Sequence, residues 1–292
     1  MSGHRVVVIG NAGLDLRLAV PRLPAAGETL IGQATAARAP GGKGLNQAVV
    51  AARCGARVRF CAPLGSDDAE AAEITRPLAR EGFAELVLPR LPYATDFSLL
   101  MVLPDGENSI VSTSACSLAL TPEHVEPVLR DLGEGDVVLL QGNLSLDTTA
   151  ALLADARRKK ATTILNPAPF WPGIEKRMAD CDLVIANRVE AAALGQSIHA
   201  ARAAVVTLGA DGCELIERGQ RRTIPAEPVD AVDTTGCGDA FCGVIAALAA
   251  RGCALVEAIP LAQLAAALAA TRAGAFEALP TRGELAALSS RA

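Results

Sequence analysis

Short apolar runs recur along the chain, and most are too continuous to belong to a sheet with one wet face. Val6-Val7-Val8-Ile9, Val58 to Cys61, Val137-Val138-Leu139-Leu140, Thr162 to Leu165, Leu183-Val184-Ile185 and Ala204 to Thr207 are rich in β-branched side chains. Such runs predict strands buried on both faces, the usual situation in a parallel sheet. Between them lie Ala- and Leu-rich stretches that predict helices: Gly44 to Cys54, Ala69 to Arg80, about Asp147 to Lys159, Arg188 to Leu194 and Ala240 to Ala250. Strands alternating with helices predict an α/β fold with a doubly wound, mostly parallel sheet.

Two stretches break this pattern. Leu16 to Ala39 alternates irregularly and is interrupted by Pro21 and Pro24. Asp96 to Ser114 reads as a hairpin, with Ser98 to Val102 and Ser109 to Ser112 joined across Pro104-Asp105-Gly106-Glu107; Asp-Gly between alternating strands is a strong hairpin signal. Hairpin strands fit poorly into a parallel sheet. Residues of about 16–39 and 96–114 are therefore expected to form a small β layer, a lid over the main sheet's edge. No repeat or low-complexity linker divides the chain, so residues 1–292 are expected to form one domain.

Composition narrows the classes of function. Hydrophobic residues make up 51% of the 292 but aromatics only 3%, so the core must be built from Ala, Leu and Val. A net charge of −5 argues against a nucleic-acid partner, which needs a basic face. The one dense basic run, Arg157-Arg158-Lys159-Lys160, reads as the last turn of a surface helix. Eight cysteines without a Cys-x-x-Cys pair suggest reduced thiols and no metal framework. Val6 to Ile9 runs into Gly10-Asn11, too soon for a signal-peptide core. Ala240 to Ala250 is too short to span a bilayer, which takes about 20 apolar residues. These features predict a cytoplasmic protein with no membrane partner.

Two glycine-rich loops carry candidate chemistry. Asp233-Thr234-Thr235-Gly236-Cys237-Gly238-Asp239 stands directly before a long apolar helix. The N–H groups of Gly236, Cys237 and Gly238 would then sit at a helix N-terminus, where unpaired donors and the helix dipole favour an anion. Asp239 is an odd carboxylate for the mouth of an anion site. It makes sense as a general base that takes a proton from a hydroxyl attacking a phosphate. An Asp N-cap on a Gly-rich turn is the structural alternative. The same helix N-terminus would lower the thiol pKa of Cys237, although a small residue used for its backbone is the simpler account. The second loop, Pro40-Gly41-Gly42-Lys43-Gly44-Leu45-Asn46, also opens a helix. It is not a Walker A loop, since Gly44 follows the lysine where Ser or Thr would be needed. The three histidines fall outside both loops, and none is assigned a catalytic role.

These segments, with Leu165-Asn166-Pro167-Ala168-Pro169, Asn187 with Glu190, and Thr207-Leu208-Gly209-Ala210-Asp211-Gly212, occur in an order that resembles the ribokinase (PfkB) family of sugar and nucleoside kinases. The resemblance runs nearly end to end. It implies a ribokinase-like three-layer αβα sandwich with a small β-sheet lid, and ATP-dependent phosphoryl transfer to a hydroxyl. By the resemblance, Asp239 is the base, and Gly236, Cys237 and Gly238 form the anion hole. Asn187 and Glu190 would order Mg²⁺ and its waters; Asn187 could equally be a helix N-cap, and the two roles are compatible. Thr207 to Gly212 would bind ATP together with Gly238, and Gln263 would lie near the adenine. Gly13, Asp15, Gly41, Gly42, Lys43, Asn46 and Asn143 would line the acceptor pocket beside Asp239. Asp233 and Thr235, with the carbonyls of Ala269, Arg272 and Gly274, match positions that hold a monovalent cation, potassium, in the family. One further ligand position, serine in ribokinases, is Ala278 here. Similar kinases dimerise through the lid, so a homodimer is expected.

The acceptor side departs from the family pattern. Gly13 replaces an Asn, Asn143 replaces a Glu, and Ala115-Cys116-Ser117 replaces Gly-Ala-Asn in the lid segment. A site stripped of hydrogen-bond partners discriminates differently. The implied acceptor is a small sugar that need not be D-ribose. A nucleoside is the alternative, disfavoured by the scarcity of aromatics, although Phe97 and Phe170 are available. A silent sugar sensor on the same fold is a further alternative, opposed by the survival of Asp239 and the glycines around it.

Overall fold

The computed structural model describes residues 4–32, 37–66, 68–104 and 108–289. Its main sheet has nine strands in the order Gln220–Ile224, Cys213–Glu217, Ala203–Thr207, Leu183–Asn187, Thr162–Asn166, Val137–Gln141, Arg5–Ile9, Arg57–Cys61 and Glu85–Val87. The seven strands from Ala203–Thr207 to Glu85–Val87 are parallel. The first two in that order form an antiparallel edge that the apolar runs did not announce.

The continuous apolar runs are explained by what covers the sheet. Alternate residues of one strand enter opposite cores: Val6 and Val8 face one cluster, Val7 and Ile9 the other, and Val137 and Val138 divide in the same way. On one face pack the helices Lys43–Arg53, Glu70–Leu78, Cys237–Ala249 and Leu255–Ala270. On the other pack Pro122–Leu129, Leu146–Arg158 and the end of Arg188–Leu194. The result is the expected three-layer αβα sandwich. Its side chains are mainly small aliphatics, which suits helices lying close against a sheet.

Helix ends follow local chemistry. Ser145 accepts a hydrogen bond from the Thr148 N–H and opens Leu146–Arg158. That helix ends on Arg157 and Arg158, with Arg157 paired to Asp180 and Lys159 to Asp155, so the basic run is a solvated helix terminus. His124 closes a capping box with Thr121, which gives one histidine a structural task.

A separate four-stranded sheet has the order Ala37–Gly41, Gly13–Ala19, Asp96–Val102, Asn108–Ser112. The hairpin of its last two strands is present, while its turn at 105–107 and residues 33–36 lie outside the described residues. Two details differ from the sequence expectation. The first strand begins at Gly13 instead of Leu16, and no strand is found among the described residues 20–32, where Pro21 and Pro24 interrupt pairing. That strand also runs parallel to Asp96–Val102, with Asp15 opposite Ser98, a pairing between segments about 80 residues apart that no local pattern reveals. No helix among the described residues is long and apolar enough to cross a membrane.

Candidate active site

The parallel strands end on one rim of the sheet, and the candidate residues lie just beyond those ends. This is where ligands bind in open α/β sheets. Asn11, Gly13 and Asp15 follow Arg5–Ile9; Asn143 follows Val137–Gln141; Asn187 ends Leu183–Asn187; Thr207 ends Ala203–Thr207.

Gly236 is the N-cap of helix Cys237–Ala249, with φ 82°. Only glycine takes that left-handed conformation without cost. Cys237 donates its N–H to the Thr234 carbonyl at 3.3 Å, so the turn uses one of the three donors assigned to an anion hole. The Cys237 thiol is pushed up to about 12 by burial and by Asp233 and Asp239, so the lowered thiol value suggested by a helix N-terminus is overturned by its surroundings.

Asp239, in the first turn of that helix, is buried. Its Oδ2 accepts from Asn46 Nδ2 at 3.2 Å, and its Oδ1 accepts from Gln47 Nε2 at 3.0 Å. Both donors come from the first turn of helix Lys43–Arg53, which packs on Cys237–Ala249. Behind them runs a chain of amides. Gln47 Nε2 also donates to Asn166 Oδ1 at 3.0 Å, Gln141 Nε2 donates to Gln47 Oε1 at 2.9 Å, and Asn166 Nδ2 donates to the Ile185 carbonyl at 2.8 Å. Sequence reasoning missed Gln47 and Gln141 as site residues. The available signal was two glutamines buried at element ends where apolar residues are the norm.

Lys43 is half-buried among carboxylates. Asp239 most strongly, then Glu190 and Asp15, hold its ammonium above the usual lysine range against the opposing effect of burial. Asp15 is pushed up to about 7, chiefly by burial, with Asp239 and Glu277 adding to the rise and Ser98 and Lys43 opposing it. The tight packing around Asp15 accounts for Gly41. A Cβ at that position would lie 2.2 Å from the Asp15 carboxylate. Gly42, φ 100°, turns the chain into helix Lys43–Arg53, and Asn11 Oδ1 accepts from the Gly44 N–H at 3.1 Å. The structure thus brings Asp15, Lys43, Asn46, Glu190 and Asp239 into one electrostatic cluster. Asn46 and Asn143 each keep a buried Oδ1 without a hydrogen-bond partner, as do Gln141 Oε1 and Thr149 Oγ1.

Asn187 and Glu190 form a reciprocal capping box. Asn187 Oδ1 accepts from the Glu190 N–H at 2.9 Å, and Glu190 Oε2 accepts from the Asn187 N–H at 2.8 Å. Burial raises the Glu190 carboxyl, with Lys43 opposing the rise. Among the described residues no group of three or more His, Cys, Asp or Glu is placed to hold a metal ion. Glu190 is the carboxylate of this pair that could meet a magnesium ion through water, since that ion commonly keeps several waters.

Thr207 leads into the turn Leu208 to Gly212, closed by the Leu208 N–H to the Gly212 carbonyl at 2.8 Å. Arg188, not singled out from sequence, braces this turn by donating to the Leu208 carbonyl at 3.0 Å and pairing with Asp211. Gln263 lies apart from the carboxylate cluster. Its Nε2 donates to the Ile224 carbonyl at 3.1 Å, on the antiparallel edge. Asp233 is buried under the loop. Its Oδ1 accepts from Thr235 N and Oγ1 at 2.9 and 2.6 Å, and its Oδ2 accepts from Gly274 N at 3.0 Å and lies 3.3 Å from Arg17 Nη2. Ala278 is fully buried and offers no side-chain oxygen. This donor-filled surrounding does not fit the potassium ion that the resemblance implies at Asp233.

The chain is similar over nearly its whole length to known sugar kinases. The chain is 31% identical to the ribokinase of Bacillus subtilis, over 97% of this chain and 98% of that one. It is 30% identical to a deoxyribokinase of Salmonella typhi, over 94% and 95%. The crystal structure of a ribokinase from Thermotoga maritima superposes with a TM-score of 0.85 at 27% identity, over 98% of this chain and 99% of that one. The model of the pfkB family carbohydrate kinases matches residues 4–282. The chain therefore belongs to the pfkB family of carbohydrate kinases and is an ATP-dependent sugar kinase of that family.

Proposed function

We propose that the protein transfers the γ-phosphoryl group of ATP to a hydroxyl of a small sugar, with Asp239 as the base. The observation that carries this reading is the setting of Asp239. It is a buried carboxylate in the first turn of a glycine-capped helix, held by hydrogen bonds from Asn46 and Gln47. The acceptor hydroxyl gives its proton to Asp239, its oxygen bonds to the γ-phosphorus, and the bond to the β–γ bridging oxygen breaks to release ADP. Little covalent work falls to the protein, so positioning and charge stabilisation dominate. The Gly236–Gly238 turn and the Lys43 ammonium face the negative charge of the moving phosphoryl group. Magnesium, when bound with the nucleotide, would neutralise phosphate charge, and Asn187 and Glu190 would hold its waters. Thr207 to Gly212 would carry the nucleotide, with Gln263 toward its base.

Asp15, Gly41, Gly42, Asn46 and Asn143 are the proposed acceptor wall, and the small sheet that carries Asp15 is the proposed lid. A carboxylate that accepts from neighbouring hydroxyls suits a polyol. The relatives include a ribokinase and a deoxyribokinase, and Gly13 and Asn143 leave this pocket with fewer fixed partners than a strict ribose site. The exposed Phe97, Ile110 and Val111 on the small sheet support a homodimer formed there, which light scattering would read as twice the chain mass. Eight free cysteines support a reducing, cytoplasmic location. The test is an ATP-consumption screen over sugars and nucleosides with the wild type and Asp239→Asn. Turnover on sugars, lost by orders of magnitude in Asp239→Asn while ATP still raises the melting temperature, supports the reading. Turnover on nucleosides alone, or near-normal turnover of the variant, sinks it.

A further inference from the structure

Asp233 is buried to 2% exposure, and burying a lone carboxylate is costly unless charge and hydrogen bonds compensate it. Three compensating donors are local: Thr235 N, Thr235 Oγ1 and Gly274 N. The compensating charge comes from the small sheet. Arg17 extends from strand Gly13–Ala19 and places Nη2 3.3 Å from Asp233 Oδ2. A carboxylate offers about four lone-pair sites, so this set leaves little for a metal ion. Ala278 takes away a further oxygen at the same place.

Arg17 is two residues beyond Asp15 on one strand, so the two side chains leave the same face of the small sheet. Asp15 belongs to the proposed acceptor wall, and Arg17 reaches the loop that opens into Gly236 to Asp239. A guanidinium keeps its charge at any working pH and is more weakly hydrated than an ammonium, which suits a half-buried pairing. We infer that Arg17 is a built-in monovalent cation: it neutralises Asp233 beneath the phosphate-facing loop, so the protein works without added potassium. The same contact ties the strand bearing Asp15 to the loop that leads into the helix bearing Asp239, so the acceptor wall and the base are positioned together. Arg17 is here a positioning residue and touches no reacting atom.

The activity arm of the test rests on the kinase reading; the stability arm does not. Melting temperature and ATP turnover are measured in potassium chloride and in tetramethylammonium chloride at equal ionic strength, for wild type, Arg17→Lys and Arg17→Met. The wild type is expected to melt and turn over equally in both salts. Arg17→Met is expected to melt lower and to regain both melting temperature and turnover in potassium but not in tetramethylammonium; Arg17→Lys is expected to fall between the two. A wild type that potassium activates severalfold or stabilises by several degrees overturns the inference, as does an Arg17→Met protein indifferent to potassium. If Arg17→Met does not fold, the wild-type comparison alone decides. If no acceptor turns over, the kinase reading falls and the melting comparison still decides the role of Arg17.

Discussion

Gln47 Nε2 stands 3.0 Å from Asp239 Oδ1 and 3.0 Å from Asn166 Oδ1, so one side-chain amide joins the proposed base to the amides behind it. Because Gln141 in turn donates to Gln47 Oε1, the Gln47 amide cannot flip without breaking that bond. The carboxylate is thereby fixed at the end of a chain of neutral donors.

Replacing Gln47 by Leu would leave Asp239 Oδ1 and the Gln141 amide without their partner. A buried hydrogen bond to a charged group is worth about 1.5–3 kcal/mol, or roughly 10- to 100-fold in rate if it is realised in the transition state. Gln47→Leu should lower kcat by that factor and leave the KM for ATP unchanged. Gln47→Glu places a second carboxylate beside Asp239 and should move the acid limb of the kcat profile to higher pH. A change in melting temperature with an unmoved pH profile would reduce Gln47 to a core residue.

Asp15 links acceptor binding to pH. Its folded-state value of about 7 lies above the ordinary 3.8, chiefly because of burial. Between those values the folded protein holds a proton there that the unfolded chain has lost. The contribution of this group to stability therefore falls as pH rises through that window and is level above it. Asp15→Asn removes the ionisation. Its melting temperature relative to wild type should rise from about pH 4 to pH 7 and then stay constant. Acceptor kcat/KM in the wild type should climb as Asp15 ionises near pH 7, and the variant should lose both activity and that climb. A variant that keeps the climb would place the titration elsewhere.

Much of the frame could be read from the chain because it rests on local chemistry. Val6–Ile9 and Val137–Leu140 are continuous apolar runs because both faces of their sheet are covered. Gly236 and Gly42 are read as helix-opening glycines because left-handed backbone demands them. What escaped reading depends on distant pairing. Cys213–Glu217 and Gln220–Ile224 carry charged residues on an edge strand and lack the signature of the buried strands. Asp96 is buried because its carboxylate accepts the N–H groups of Cys116 and Ser117, a role that spacing does not show. Arg17 meets Asp233 only once the small sheet is placed against the loop before helix Cys237–Ala249.

The pair Asn187 and Glu190 allows folding and function to be separated. Glu190 serves the capping box through an oxygen that accepts from the Asn187 N–H, and a glutamine keeps such an oxygen. Glu190→Gln should therefore change stability by no more than about 0.5 kcal/mol. It removes the negative charge proposed to hold the waters of magnesium, so the magnesium concentration for half-maximal activity should rise severalfold. Asn187→Ala removes the cap, which costs about 1 kcal/mol. Its melting temperature should drop by about 2–4 °C for a chain of this size. Glu190→Gln should thus raise the magnesium requirement with little change in melting, whereas Asn187→Ala, which removes both the cap and a proposed water-holding group, should lower the melting temperature and raise that requirement as well. An unchanged magnesium requirement in Glu190→Gln would leave that carboxylate a helix cap and nothing more, because the box it forms with Asn187 already accounts for its position.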